Sequence, residues 1–351
     1  MHTHDETMPT SAAGFKLGKI LSCLFGALSL SLLATAAHAD IRSHNFKVAI
    51  AVSAGTAHYD GGVKFCELLE KKSGGKMKAK MFGGSSLGKD TAVVSSMQGG
   101  VIDMGIMNAN LLSGLVKDFG VLDFPFVFSN EKVAYKVLDG AWGTKLSNKL
   151  LDKGIVGLGF WEMGYLNYHT GTRPINKLED IAGLKIRVTE TPLQIDFQKA
   201  LGANPVPIPY VELYTALEQH TVDGGNQTFI NVQAAKLYEV QKYMTVTNHM
   251  YNPQMLLMSK KVHDRLNDDE KKVLAEAAAE ARDYQRKLSQ EYSAKARDFL
   301  KDKIAINVLP PEEVAKMKEK TRPLIDKYAK EYGEQTAREM LAEIDKASAA
   351  Q

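Results

Sequence analysis

Gly183-Leu184-Lys185-Ile186-Arg187-Val188 opens the stretch, running to Gln227, around which the chain is organised. A turn glycine followed by alternating residues predicts a short strand with Arg187 near its end. Leu201-Gly202-Ala203-Asn204-Pro205-Val206-Pro207 comes next and is too proline-rich for a central strand. Tyr210 to His220 reads as a helical segment, apolar at Val211, Tyr214 and Leu217. Val222-Asp223-Gly224-Gly225-Asn226-Gln227 then crowds turn and amide residues together. Such an arginine, an aromatic and a set of amides lining one cleft would suit a small organic anion, because guanidinium is a planar fork of donors that matches a carboxylate.

Upstream, Asn45 to Val52 alternates as a strand and ends in Ser53-Ala54-Gly55-Thr56. A helix over 58–72, a strand over 76–82, a helix over 90–98 and a strand over 101–107 follow, the last leading into Asn108. Strands alternating with helices predict an α/β fold with a parallel sheet covered on both faces. Ligands of such sheets sit at the carboxyl ends of strands, which nominates Ser53 and Asn108. Beyond Gln227 the pattern gives a helix over 229–240 and strands over 243–247 and 254–258. From Asp268 to about Asp302 runs a helical pattern free of Gly and Pro.

The 351 residues suffice for two modest domains, and a net charge of +3 with interspersed signs gives no basic stripe, so nucleic acid is not an expected partner. Lys16 and Lys19 precede an apolar run from Ile20 to about Ala37, and Ala37-His38-Ala39 supplies small residues for cleavage. Residues 1–39 therefore read as a secretory signal peptide, with an uncleaved anchor as the alternative. Past it Cys66 stands alone, so no intramolecular disulfide is expected. No dinucleotide fingerprint, H-E-x-x-H or paired-cysteine spacing occurs, so neither cofactor nor metal is expected. Gly83-Gly84-Ser85-Ser86-Leu87-Gly88-Lys89-Asp90 fits G-x-S-x-G around Ser86 and narrowly misses a phosphate-binding loop, since Asp90 stands where a hydroxyl is needed. A secreted hydrolase using Ser86 is thus one hypothesis, and a receptor closing on its solute is the other.

Gly-Leu-Lys-Ile-Arg-Val from Gly183, Gly-Ala-Asn-Pro-Val-Pro from Gly202, Glu-Leu-Tyr-Thr-Ala-Leu-Glu from Glu212 and Val-Asp-Gly from Val222 occur in this order and spacing. The ordered set resembles the solute-binding subunits of TRAP (tripartite ATP-independent periplasmic) transporters, the DctP type, over nearly all of the chain after the leader. That resemblance implies a non-enzymatic periplasmic receptor with two lobes, a hinge and a long helix spanning both. Lobe 1 is expected over 40–163 and 253–292, and lobe 2 over 164–252 and 293–351. Its implied partners are a small organic acid and the small and large integral membrane subunits of the transporter.

The same resemblance assigns roles. Arg187 matches the cleft arginine that grips the solute carboxylate. Tyr210 matches an aromatic packing on the solute, and Trp161 is a further ring with a donor N–H; each has core packing as its alternative. Either Asn226 or Gln227 takes the place of a solute-contacting amide. Phe124, in Leu122-Asp123-Phe124-Pro125, is a candidate cleft wall, with Phe126 and Phe128 in the core. Glu162 and Glu190 either accept from solute hydroxyls or an ammonium, or face solvent or a neighbouring cation. Relatives commonly carry an arginine where Leu166 stands, two residues after Gly164. Its loss favours a small monocarboxylate with a neutral or apolar body over a dicarboxylate, with Asn167 and His169 as replacement donors. Arg173 and His249 read as structural. A small amine or polyol is the alternative solute.

Overall fold

The computed structural model describes residues 40–350; the expected signal peptide lies outside the described residues. In chain order the strands are β1 (His44–Ile50), β2 (Met77–Phe82), β3 (Met104–Asn108), β4 (Ile155–Thr170), β5 (Lys185–Val188), β6 (Asn204–Pro207), β7 (Gly224–Gln227), β8 (Tyr243–Ser259) and β9 (Ala305–Val308). They form one mixed sheet in the order β2-β1-β3-β8-β4-β7-β5-β6, with β9 pairing β8. Helices α1 (Ala57–Lys72) and α2 (Asp90–Gly99) connect the parallel strands β1, β2 and β3. The proline-rich segment is β6, the sheet's outer strand, pairing with β5 alone, where missing N–H groups do least harm.

Two long antiparallel strands, β4 and β8, carry the chain between the two halves of the sheet. β3 joins the Gln254–Met258 end of β8, whereas β7 joins the Asn167–Thr170 end of β4 and β9 the Tyr243–Val246 end of β8. The sequence pattern shows these strands as shorter pieces, because their pairing slips at three bulges, between Gly157 and Gly159, Glu162 and Gly164, and Leu166 and Tyr168. The first two each add one residue to β4, the third sets residues 246–249 of β8 opposite Asn167 alone, and all three re-aim the side chains beyond them. Gly164 sits at the middle one with φ +101°, a conformation that L side chains rarely adopt. The crossing is therefore a bent ribbon between two lobes.

Further helices are α3 (Glu131–Leu138), α4 (Ala141–Asn148), α5 (Pro192–Ala200), α6 (Leu213–Glu218), α7 (Phe229–Ala234) and α8 (Lys260–His263). The long helix is α9 (Asp268–Lys301), 34 residues and so about 51 Å. It opens on a capping box between Asn267 and Glu270. Its first half places Leu274, Ala277, Ala278 and Ala281 in the core around β1 and α1, and its second half places Ala296 and Leu300 in a separate core around α6 and α7. Between these it is tied to the crossing strands. Gln285 accepts from the Glu162 N–H and donates to the Glu162 carbonyl at 2.9 and 2.7 Å, and Arg286 forms a two-pronged pair with Asp139 at 2.6 and 2.9 Å. The helix expected from sequence to span both lobes does so.

The chain ends in α10 (Pro311–Tyr332) and α11 (Glu334–Ala349). The sequence reading keeps 293–351 with lobe 2, yet α11 packs against α3 and α4, with Trp142 Nε1 donating to the Thr336 carbonyl at 3.0 Å. No helix among the described residues is long and apolar enough to cross a membrane.

Candidate functional site

Between the two halves of the sheet lies a cleft whose walls come from both. The end of β1, the Ser85–Thr91 loop and the end of β3 form one wall; the end of β5, the Ile208–Val211 turn and β7 form the other. Met163 and Leu166 of β4 and Asn252 and Gln254 of β8 floor it. Strand ends and the loops after them thus supply most of the lining, as a parallel sheet dictates.

Arg187 is held in β5 between β6 and β7 and is 4% exposed. Its Nε donates to the Ile208 carbonyl at 2.8 Å. Among the described residues its two terminal amino groups have no hydrogen-bond or ion-pair partner, and they face the cleft. Burial draws its pKa from 12.5 down to about 10, partly opposed by Tyr210, Glu190 and Asp90. It stays cationic at neutral pH. Asp90, the first residue of α2, lines the opposite wall, and burial pushes its carboxyl up to about 6, with Arg187 opposing. Tyr210 is half-buried in the cleft, its phenol raised to about 12 by burial and so neutral.

Amides complete the site. Asn108 accepts from Gln254 Nε2 at 3.2 Å, and Gln227 accepts from Asn231 Nδ2 at 3.0 Å. The buried side-chain oxygens of Asn226, Asn231, Asn252 and Gln254 have no hydrogen-bond partner among the described residues, and all four residues line the cleft. Unsatisfied buried amides each cost about 1–3 kcal/mol, so four converging on one space form a surface that demands donors. At the mouth, Lys89 of one wall pairs with Glu212 of the other.

Of the residues nominated from sequence, Arg187, Tyr210, Asn108, Asn226 and Gln227 meet in this cleft, and Leu166 lies in its wall. Others are placed elsewhere. Trp161 is fully buried among Ile106, Leu256 and Ala281, and Phe124 is 1% exposed in the other large core. Ser53 is exposed beyond the cleft lining, its carbonyl accepting from Thr56 Oγ1 at 3.1 Å. Glu162 and Asn167 lie in a second cavity, lined by Tyr165 and by Gln290 and Arg297 of α9. Strand alternation together with the bulges turns these two away from Leu166. Burial raises the Glu162 carboxyl to about 8, helped by Glu131. Asn167 instead accepts the backbone N–H groups of Thr247 and Asn248. His169 is buried, its Nδ1 paired with Gln241. His249 is buried between the Tyr168 and Phe197 rings, and Arg173 binds the Asp180 and Ala182 carbonyls, both structural placements. Ser86 is exposed and makes no side-chain hydrogen bond among the described residues.

Sequence reasoning missed Asp90, Gln194, Asn231, Asn252 and Gln254. Asp90 was legible only as the residue that spoils a phosphate loop. Asn252 and Gln254 stand two apart on β8 and so share a face, but the strand read from sequence begins at Gln254 and leaves Asn252 outside it.

Residues 48–331 match the family model for DctP, the bacterial extracellular solute-binding proteins of family 7. The chain belongs to this family. It is similar to a TRAP periplasmic solute-binding protein from Ochrobactrum anthropi at 48% identity, TM-score 0.81, covering 89% of this chain and 98% of that one. The sugar acid binding protein DctPAm of Advenella mimigardefordensis strain DPN7T, solved with galactonate, superposes with TM-score 0.86 at 38% identity over 88% of this DctP chain and all (100%) of its own. The 2,3-diketo-L-gulonate-binding periplasmic protein YiaO of Escherichia coli (strain K12) is 34% identical over 276 residues, 79% of this chain and 84% of YiaO. These relatives are named as binding proteins, and the two solved ones share this two-lobed fold.

Proposed function

We propose that this DctP protein is the periplasmic receptor of a TRAP transporter, that it captures a polyhydroxylated monocarboxylic acid between its lobes, and that it delivers the acid to the small and large membrane subunits. The carrying observation is Arg187: a buried guanidinium, tied by one nitrogen to the Ile208 carbonyl, with both terminal amino groups facing the cleft and without an acidic partner among the described residues. That fork matches a carboxylate. One such cation, with Leu166 in the wall, suits a single carboxylate.

The unpartnered amides and Asp90 refine the solute body. An apolar body would leave the oxygens of Asn226, Asn231, Asn252 and Gln254 without donors, whereas hydroxyls supply them. The galactonate of one relative and the diketogulonate of another, as their names state, are acids of this kind. Contacts from both walls to one solute stabilise the closed arrangement and so drive closure. Of the two glutamates considered for an amine, Glu162 faces the second cavity and Glu190 lines the cleft.

A thermal-shift screen tests this with D-galactonate, 2,3-diketo-L-gulonate, lactate, succinate, putrescine and glycerol. A solute at about a hundred times its dissociation constant adds ~2.7 kcal/mol of stability. The hydroxylated monoacids are expected to stabilise the protein most. Stabilisation by putrescine or glycerol alone, or by lactate as strongly as by the sugar acids, overturns the reading.

A further inference from the structure

Asp123 is a buried carboxylate outside the cleft lining that joins the segment after β3 to the start of α5. It follows β3 in the first half of the chain and is 3% exposed. Its Oδ1 accepts from Asn110 Nδ2 at 2.7 Å, on its own side. From the segment after β5, Thr191 Oγ1 donates to Oδ2 at 2.8 Å and Gln194 Nε2 donates to Oδ1 at 3.0 Å. Thr191 precedes α5 and Gln194 lies in its first turn, so the positive end of that helix also faces the carboxylate. Burial pushes the Asp123 pKa up, and the three donors pull it back.

Gln194 also lines the cleft. A carboxylate accepts and does not donate, so the amide must turn its NH2 to Asp123. Its Oε1 then has no hydrogen-bond partner among the described residues, one more acceptor for the solute.

We propose that Asp123 is a positioning residue for solute capture: it latches the α5 end of one lobe to the other and fixes Gln194 with its carbonyl oxygen towards the cleft. This rests on the receptor reading. The latch is closed in this structure, so parting the lobes to release the solute must break it, whereas encounter with the solute does not. Asp123→Asn loses the charge and one acceptor oxygen, and its own NH2 can turn the Gln194 amide over.

The test is stopped-flow binding of D-galactonate to the full chain, wild type against Asp123→Asn and Thr191→Val. Hydrogen bonds to charged groups predict dissociation about ten- to a hundredfold faster in Asp123→Asn and about tenfold faster in Thr191→Val, with association unchanged within about twofold. The double variant should be no worse than Asp123→Asn alone, since both changes open one latch. Unchanged dissociation in either folded variant overturns the proposal, as does an equal fall in association rate, which marks general damage. Thr191→Val decides alone if Asp123→Asn does not fold. If the wild type binds no D-galactonate, the choice of solute is what fails. The latch is then decided by amide hydrogen exchange in the solute-free protein: Asp123→Asn must speed exchange in both 117–124 and 191–198, and no change in either sinks it.

Discussion

Replacing Arg187 with alanine should cripple solute binding while leaving the solute-free fold at least as stable. Burial lowers the guanidinium pKa from 12.5 to about 10. At ~1.36 kcal/mol for each tenfold change in proton affinity, the folded protein carries about 3 kcal/mol of desolvation before any solute arrives. A carboxylate on the two terminal amino groups offsets it through two charge-assisted hydrogen bonds worth about 1.5–3 kcal/mol each. Arg187→Ala therefore forfeits about 3–6 kcal/mol, or roughly two to four powers of ten in Kd. Without solute the variant sheds the desolvation but leaves the Ile208 carbonyl without its donor, a loss of about 1 kcal/mol, so its melting temperature should hold or rise. Isothermal titration calorimetry with the best acid of the screen measures Kd, and scanning calorimetry measures the melting temperature. Arg187→Lys keeps the charge without the fork and should fall between the two. A Kd for Arg187→Ala within threefold of wild type refutes the reasoning.

Other predictions follow from the residues outside the cleft. Glu162 has its pKa raised from 4.5 to about 8, so the folded state binds the extra proton and stability is lost as pH rises through that window. Glu162→Gln should gain about 2–4 kcal/mol near the top of the window and nothing below it, with solute affinity unchanged; melting curves at both ends and a titration check this. Trp161→Phe should cost about 1–3 kcal/mol of stability with Kd unchanged within about twofold, because the ring is core; a selective loss of affinity counts against that placement. His249 is buried neutral, its pKa lowered from 6.5 to about 3, so its contribution is full above 6.5 and lost as pH falls through that range. Relative to wild type, His249→Gln should be clearly less stable at neutral pH, and the gap should narrow in acid; a constant gap shows that the ring titrates normally.

How much of this was legible before the structure depends on whether the signal was local. Arg187 stood out because a turn glycine and alternation place it at a strand end, and that strand forms as read. The parallel run of β1, β2 and β3 was visible from periodicity, and the unbroken α9 from its lack of Gly and Pro. Trp161 and Phe124 were ambiguous because an aromatic packs equally well in a core or against a solute. Glu162 and Asn167 went astray for a geometric reason: a bulge changes which face a strand residue occupies, and a bulge is a property of two paired strands.

By itself, then, the sequence determined most of the elements, the family and the arginine at a strand end, since each depends on residues close together in the chain. Tertiary structure alone decided which polar groups surround that cation. Asp90, Gln194, Asn231, Asn252 and Gln254 come from separate segments, and their side chains converge only once the bulged ribbon of β4 and β8 has bent the sheet into two facing halves.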